Sequence, residues 1–296
     1  MRRFRLGILT DEVSQDAGDA IAFAKQYGLE AIELRSVNDK PVHELDDEAI
    51  RAVKALADNS GLTVCALSAP IFKCELDEAA EVERHIALAQ RYIAIASQLE
   101  VKLVRGFSFW TSAPFEEALP RVAEQIKRIA PSFEQAGITF VLEFDPGVHA
   151  CNARKVGLLV DAVASPAVKA LYDPGNDMWD PDGELPYPDG YDHLAGKIGH
   201  IHLKDAVKTA NGVEAVAIGT GQVDYRALFR RLAEDRYEGC VMVETHYRLH
   251  SKLTEEQLKR PMGNSFSDGG REASAQCVES LLALLGELGM EQRAGR

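Results

Sequence analysis

Short apolar runs recur along the chain, and most are followed by a longer stretch in which apolar residues lie three or four positions apart. Short runs bounded by turn residues are typical of buried parallel strands, and the longer spacing is typical of amphipathic helices. The runs predict strands at Leu6–Leu9, Ala31–Leu34, Thr63–Leu67, Lys102–Arg105, Thr139–Leu142, Val168–Tyr172, Ile198–Leu203 and Val241–Val243.

Helical spacing alternates with these strands. It predicts helices at Ala17–Tyr27, Asp47–Asn59, Asp77–Leu99, Phe115–Gln135, Ala153–Val163, Val223–Glu234, Glu255–Lys259 and Glu272–Leu288. The segment Asp173–Tyr191 is rich in Pro, Gly and Asp and predicts a loop that leads into a short helix. Eight strands alternating with helical segments indicate an α/β chain that folds as one (β/α)8 TIM barrel of eight parallel strands, in a single domain over residues 1–296.

A doubly wound open sheet is the competing architecture, and the glycines argue against it. Such folds carry a Gly-rich turn after the first strand, whereas the turn Thr10–Ser14 has no glycine. The run Gly219-Thr220-Gly221 lacks the third glycine of a dinucleotide motif and follows strand seven. The pattern therefore favours the barrel.

Composition narrows the class of protein. Hydrophobic residues make up 46% of the 296 residues, which suffices for a large core, but no stretch reaches the roughly 20 apolar residues of a membrane span. Acidic residues soon after the basic start argue against a signal peptide, so we expect a cytoplasmic protein. The net charge of −13 disfavours a nucleic-acid partner. The cysteines form no C-x-x-C pair, which argues against a zinc knuckle.

Ionisable residues end the last four predicted strands. Active sites of parallel barrels lie at the C-terminal ends of the strands, where this chain has Glu143, Asp173, His202 and Glu244. Three buried carboxylates would repel one another unless a cation neutralised them. Three oxygen donors and one nitrogen suit Mn2+, Mg2+, Co2+ or Zn2+, so we predict a divalent metal site.

Further polar residues share the inward side of these strands. Lys204 lies two residues after His202, and we expect it either to bind a carboxylate, phosphate or enolate oxygen of a substrate or to pair with Asp205 or another neighbour. His246 lies two residues after Glu244 and is a candidate for substrate contact.

Two earlier strands also end in charged residues. Arg105 ends strand four and is expected to reach an anionic group of the substrate. Glu33 and Arg35 end strand two, where they would form an internal ion pair or contact substrate. The segments Asn176–Tyr191 and His246–Gly270 are long for barrel loops, which predicts lids or binding loops.

The strand-end motifs resemble those of the xylose isomerase-like barrels, which include ketose 3-epimerases, inosose dehydratases and hydroxypyruvate isomerases. The Glu, Asp, His, Glu order on the last four strands carries the resemblance, and it spans most of the chain. The matching stretches are Thr10-Asp11-Glu12-Val13-Ser14, Glu33-Leu34-Arg35, Val141-Leu142-Glu143, Tyr172-Asp173-Pro174-Gly175-Asn176, His200-Ile201-His202-Leu203-Lys204-Asp205, Gly219-Thr220-Gly221-Gln222-Val223-Asp224-Tyr225 and Val243-Glu244.

The resemblance implies a chemistry for the site. The four strand-end residues would bind the metal, with Mn2+ the first choice, and the metal would chelate a carbonyl oxygen and a neighbouring hydroxyl of a sugar or hydroxy-keto compound. Glu143 or Glu244 would remove the acidified proton as general base and give an enediolate, as in an isomerase or epimerase. Asn176 stands where ketose 3-epimerases often have a sugar-contacting histidine, and relatives are often dimers or tetramers, so a homo-oligomer stays open.

Other functions stay open on the same pattern. Loss of a β-hydroxyl after proton removal would make the chain a lyase of the inosose or dehydroshikimate dehydratase type. An abasic-site endonuclease of the endonuclease IV type would need histidine ligands from early strands, and the early histidines His43 and His85 lie in a predicted loop and a predicted helix. A metal-free binding barrel is the remaining alternative.

Overall fold

In the computed structural model, which describes residues 3–291, eight parallel strands close into a barrel in which chain neighbours are also barrel neighbours. The last strand pairs with the first and completes the ring. The strands are β1 Arg5–Leu9, β2 Ala31–Leu34, β3 Thr63–Ile71, β4 Leu103–Gly106, β5 Thr139–Glu143, β6 Val168–Tyr172, β7 Ile198–Leu203 and β8 Cys240–Val243. The predicted (β/α)8 barrel is confirmed.

Helices connect the strands on the outside of the barrel. Within the described residues they are α1 Ala17–Gln26, α2 Asp47–Ser60, α3 Ala79–Leu99, α4 Phe115–Ala136, α5 Ala153–Val163, α6 Tyr191–His193, α7 Tyr225–Glu234 and α8 Gly270–Glu287. The loop between β8 and α8 carries the short helices Glu255–Lys259 and Asn264–Ser267. Over the same residues, no helix combines the length and apolar character needed to cross a bilayer.

Local sequence sets the helix ends. Asp16, Asp46 and Asn152 each precede a helix, and the side chain of each accepts a hydrogen bond from the backbone N–H three residues later. Gly61 and Gly137 end α2 and α4 with positive φ angles of 71° and 63°, which glycine adopts without steric cost. These caps fix where each helix begins or ends, and so where the chain passes between helix and strand.

Apolar side chains fill the barrel interior below its mouth. Met242 of β8 lies over Gly7 of β1, where a Cβ atom would collide with the methionine side chain. Together with Met242, the small apolar cluster in this layer consists of Leu9, Ala31, Cys65, Ala66 and Cys240. Because side chains on a strand alternate, Glu33 and Glu244 continue the inward rows begun by Ala31 and Met242 and form a polar layer above them.

An antiparallel hairpin, Asp205–Thr209 with Gly212–Val216, follows β7 and was not predicted. Its two strands are short and mix buried, half-buried and exposed residues, and the Asn211-Gly212 turn signal was the available clue. The Asp205 carboxylate anchors the loop, since it accepts N–H groups of Gly219, at 2.8 Å, and Gly221, at 2.9 Å. This anchor keeps the hairpin beside the C-terminal end of β7.

Replacing Asp205 with Ala should lower the free energy of unfolding by about 1–3 kcal/mol, because buried backbone N–H groups lose their acceptor. Urea unfolding followed by circular dichroism measures the change. Glu214→Ala, on the same hairpin, removes only the surface ion pair with Lys252 and should leave the free energy nearly unchanged. Equal effects of the two variants would contradict the anchoring role.

Candidate metal centre

The barrel mouth brings together the four strand-end residues predicted as metal ligands. Glu143, Asp173, His202 and Glu244 come from β5, β6, β7 and β8, and each offers one ligand atom such that the atoms all lie within 4.8 Å of one another. All four side chains are buried, with at most 2% of each residue exposed. Such close packing of three carboxylates requires compensating positive charge.

Two of the carboxylates each have one oxygen held from outside the centre. The Arg105 guanidinium donates to Oε2 of Glu143 at 2.5 Å, and the backbone N–H of Gly175 donates to Oδ1 of Asp173 at 3.1 Å. The second oxygen of each, Oε1 of Glu143 and Oδ2 of Asp173, faces the middle of the cluster, where both approach the same Lys204 ammonium.

The other two side chains repeat this arrangement. Arg35 donates to Oε1 of Glu244 at 2.6 Å, while Oε2 of Glu244 lies 3.0 Å from Nδ1 of His202. On its far side, Nε2 of His202 lies 3.0 Å from a Glu33 carboxylate oxygen. With a metal bound, a proton on Nε2 would satisfy Glu33 and leave the lone pair of Nδ1 for the ion, which is how carboxylates orient metal-binding histidines.

The Lys204 ammonium lies within the cluster. Its Nζ is 2.6 Å from Asp173 Oδ2, 2.8 Å from Glu244 Oε2 and 3.6 Å from Glu143 Oε1, and it donates to Asn176 Oδ1 at 3.1 Å. Lys204 therefore forms ion pairs with neighbouring residues, which was one of its two predicted roles. Its partners are the candidate metal ligands and not Asp205. That carboxylate is engaged by the loop amides after the hairpin.

Glu33 lies beneath the centre rather than at its open side. It is fully buried and contacts Nε2 of both His200, at 2.8 Å, and His202, while Ser68 donates to its other oxygen at 2.6 Å. The predicted ion pair with Arg35 is wrong, because the two side chains lie in different layers of the barrel. In this position Glu33 supports the centre through His202.

Arg35 instead joins a second set of acidic residues. It contacts Asp11 and Glu12 at 2.9 Å each, in addition to Glu244. Arg248 reaches the second oxygen of Glu12 at 3.5 Å. The sequence prediction did not include these acidic residues in the site, although they directly follow β1 and so obey the same strand-end rule that selected the ligands.

His246 and the loop after β8 close one side of the mouth. Nε2 of His246 lies 3.3 Å from Oε1 of Glu244, its side chain is 15% exposed, and its φ of 39° is in the left-handed region that non-glycine residues rarely adopt. Phe266, fully buried in the same loop, stacks on the Arg35 guanidinium at 4.6 Å. The long loop is therefore packed against the charged network.

Arg105 and Asn176 hold Glu143 from two sides. The guanidinium of Arg105 is buried and stacks on Phe107 at 4.5 Å while it donates to the carboxylate. The amide of Asn176 donates to Oε1 of Glu143 at 3.3 Å and to the carbonyl of Phe144 at 2.8 Å. Both residues contact a candidate ligand directly, so their first role in the structure is to position it.

Comparison with known proteins agrees with the strand-end pattern. The sequence profile described as xylose isomerase-like TIM barrel matches residues 21–263. The chain belongs to this family. A 3-oxo-isoapionate decarboxylase of Pectobacterium atrosepticum is 30% identical over 149 residues, which cover 48% of this chain and 51% of the relative.

Two further relatives of this xylose isomerase-like barrel differ in named activity. An inosose dehydratase of Clostridium botulinum is 24% identical over 174 residues, 54% of this chain and 56% of the relative. The chain thus spans about half the length of the curated relatives it matches. The structure of a D-psicose 3-epimerase with D-tagatose from Clostridium cellulolyticum H10 superposes with a TM-score of 0.75 at 17% identity, covering 98% of this chain and 100% of that one.

The charges of this xylose isomerase-like barrel leave room for a divalent cation. Within residues 3–291, the buried ion-pair network at the mouth joins six carboxylates to four lysine and arginine cations, which leaves two negative charges before the histidines are counted. Burial lowers the pKa of His202, but Glu33, Glu143 and Glu244 outweigh it and raise that pKa well above its usual value, so a proton on His202 offsets part of this charge. The carboxylates are Asp11, Glu12, Glu33, Glu143, Asp173 and Glu244, and the cations are Arg35, Arg105, Lys204 and Arg248. The donor set and the charge therefore both fit a divalent metal.

Burial and neighbouring charges together shift the pKa values of the candidate carboxylate ligands in different directions. Burial raises the pKa of Asp173, and Glu143 and Glu244 add to this, so that Lys204 does not restore the ordinary value. Burial also raises the pKa of Glu143, but Arg105 and Lys204 outweigh it and hold that pKa below its usual range. The Asp173 side of the centre is thus the side with the least compensating positive charge.

Replacing Arg35 with Met should lower the free energy of unfolding by about 3–5 kcal/mol, because it leaves buried carboxylates without their partner. Chemical denaturation at neutral pH gives the change. Arg231→Met, which removes a surface arginine paired with Asp192 and Asp235, is the control and should unfold almost as the unaltered protein does. A loss no larger than that of the control would show that the network does not stabilise the fold.

Proposed function

We propose that this chain is a divalent-metal-dependent enzyme that moves a proton at the carbon next to a carbonyl of a sugar or related hydroxy-keto compound, as an isomerase or epimerase does. The observation that carries the proposal is the shared orientation of the four side chains at the mouth. Each has one atom bound by an outer partner and a second directed inward, so the inward donor set is three oxygens and one nitrogen. Lys204 and Asn176 contact the inward oxygens.

A divalent cation bound there would polarise a substrate carbonyl and acidify the neighbouring C–H bond, and Mn2+ is our first choice among Mn2+, Mg2+, Co2+ and Zn2+. The protein's part is to supply the base. Glu143 and Glu244 approach the centre from β5 and β8, on different sides of the barrel, so one carboxylate can take a proton and the other can return it. Epimerisation needs such a pair of bases on different sides of the reacting carbon.

The remaining polar residues divide into two roles in this proposal. Lys204 and Asn176 contact the inward oxygens, and His246 lies beside the outer oxygen of Glu244, so these three are the candidates for contact with substrate oxygens. Arg105 and Glu33 act through others, because Arg105 holds Glu143 and Glu33 fixes the tautomer of His202. Changes at these two positions would alter the placement of the catalytic groups rather than remove one of them.

A lyase on the same scaffold is the second candidate. Two of the relatives matched by sequence are a decarboxylase and a dehydratase by name, whereas the epimerase likeness is one of fold. Removal of a proton beside a carbonyl begins both isomerisation and loss of a β-hydroxyl, so the same two carboxylates serve either reaction. The fate of the intermediate, and thus the product, separates the two.

The test is to incubate ketoses, inososes and keto acids with the protein in deuterated water, with and without Mn2+, and to follow the products by NMR. We expect Mn2+-dependent incorporation of deuterium beside the carbonyl. Glu143→Gln and Glu244→Gln should each lower its rate by roughly 10²–10⁴-fold, because a general base is lost. A product that has lost water identifies the lyase. A rate of deuterium exchange that is the same with and without Mn2+ refutes the metal-dependent proposal.

Glu33→Gln tests the metal centre without an activity assay. Because the His202 ring would lose the carboxylate that orients it, the affinity for Mn2+ should fall by about 10–100-fold. Isothermal titration calorimetry measures the dissociation constant. Glu238→Gln, at an exposed position paired with Arg3, is the matched control and should bind as the unaltered protein does. Unchanged affinity in Glu33→Gln would argue against His202 as a ligand.

A further inference from the structure

We propose that the ammonium group of Lys204 is an internal counter-ion that opposes metal binding at the barrel mouth and leaves the inward oxygens when a divalent cation binds. The inference rests on the proposed metal centre and concerns what sets its affinity. Lys204 would then set the affinity for the metal first, and contact the substrate only after the metal has bound.

The geometry of Lys204 supports this role. Its Nζ approaches one oxygen of every carboxylate ligand, and in each case this is the oxygen left free by the outer partner. Oδ2 of Asp173 is 2.6 Å away and Oε2 of Glu244 is 2.8 Å away, while only 4% of the lysine is exposed. The ammonium thus uses the same donor atoms that the centre would offer to a metal.

Electrostatics makes the two cations competitors. A divalent ion bound to the same oxygens would lie a few ångströms from the ammonium, and their repulsion is strong where water is excluded. Without the metal, by contrast, the ammonium relieves the mutual repulsion of Glu143, Asp173 and Glu244. The lysine therefore stabilises the metal-free protein and lowers the affinity for the metal.

The position of Asn176 suggests where the displaced ammonium goes. Oδ1 of Asn176 accepts a hydrogen bond from Lys204 at 3.1 Å, and Asn176 is 8% exposed, more than any of the four candidate ligands. A lysine that leaves the carboxylates while it keeps this bond would hold its charge beside Asn176, the more exposed residue of the pair. Metal loading would then prepare a positive group for a substrate oxygen.

The experiment measures Mn2+ binding by calorimetry, and by the loss of the free-ion electron paramagnetic resonance signal, for the unaltered protein, Lys204→Met, Lys204→Gln and Lys208→Met. Both Lys204 variants should bind Mn2+ at least about tenfold more tightly, because the competing charge is gone. The control, Lys208→Met, removes an exposed lysine of the hairpin after β7 and should not change the affinity. Metal-free Lys204→Met should also melt at a lower temperature than the unaltered protein and recover when Mn2+ is added.

The outcomes separate this inference from the proposed function. Equal or weaker Mn2+ binding by the Lys204 variants, while the unaltered protein binds, overturns the counter-ion role and leaves the metal centre intact. Failure of all four proteins to bind Mn2+, Mg2+, Co2+ or Zn2+ overturns the metal centre and this inference together. If Lys204→Met does not fold, Lys204→Gln, which keeps a hydrogen-bond donor, decides the question.

Discussion

The excess of buried negative charge at the barrel mouth is the constraint on which the site depends. Six carboxylates are removed from water there, and an ionised carboxylate is tolerated in such surroundings only beside a matching cation or donor. Arginines from early strands, the lysine of β7 and backbone N–H groups each neutralise part of the charge. The orientation of the three carboxylate ligands follows from this requirement, because an arginine or a backbone N–H group binds one oxygen of each while the other oxygen faces the centre.

The two halves of the barrel supply different parts of the site. The second half, β5 to β8, supplies the candidate ligands, whereas the first half supplies groups that hold them: Glu33 on β2, Arg35 just after it and Arg105 on β4. Since these supports come from strands across the interior, the centre keeps its geometry only while the barrel is closed. Stability of the fold and order of the site are therefore linked through the same ion pairs.

Much of this could be predicted from the sequence, because strand ends are read locally. The alternation of apolar runs predicts the barrel, and the ionisable residues at the C-terminal ends of the last four strands predict the cluster of Glu143, Asp173, His202 and Glu244. The partners across the barrel could not be predicted, since the contacts of Arg35 and Glu33 depend on which layer each side chain occupies. The hairpin after β7 was missed because each of its strands has only five residues, too few for a clear apolar period beside the stronger pattern of the barrel strands.

Strand β7 combines roles that elsewhere in the barrel fall to separate elements. Its inward row contains His200, His202 and, directly after its end, Lys204, while Asp205 next to them anchors the following loop. Because successive side chains of a strand point to opposite faces, a slip of one residue would turn this whole row outward. Homologous proteins should therefore tolerate insertions at the exposed Ala210-Asn211 tip of the hairpin. An insertion or deletion within β7, by contrast, should destroy the centre.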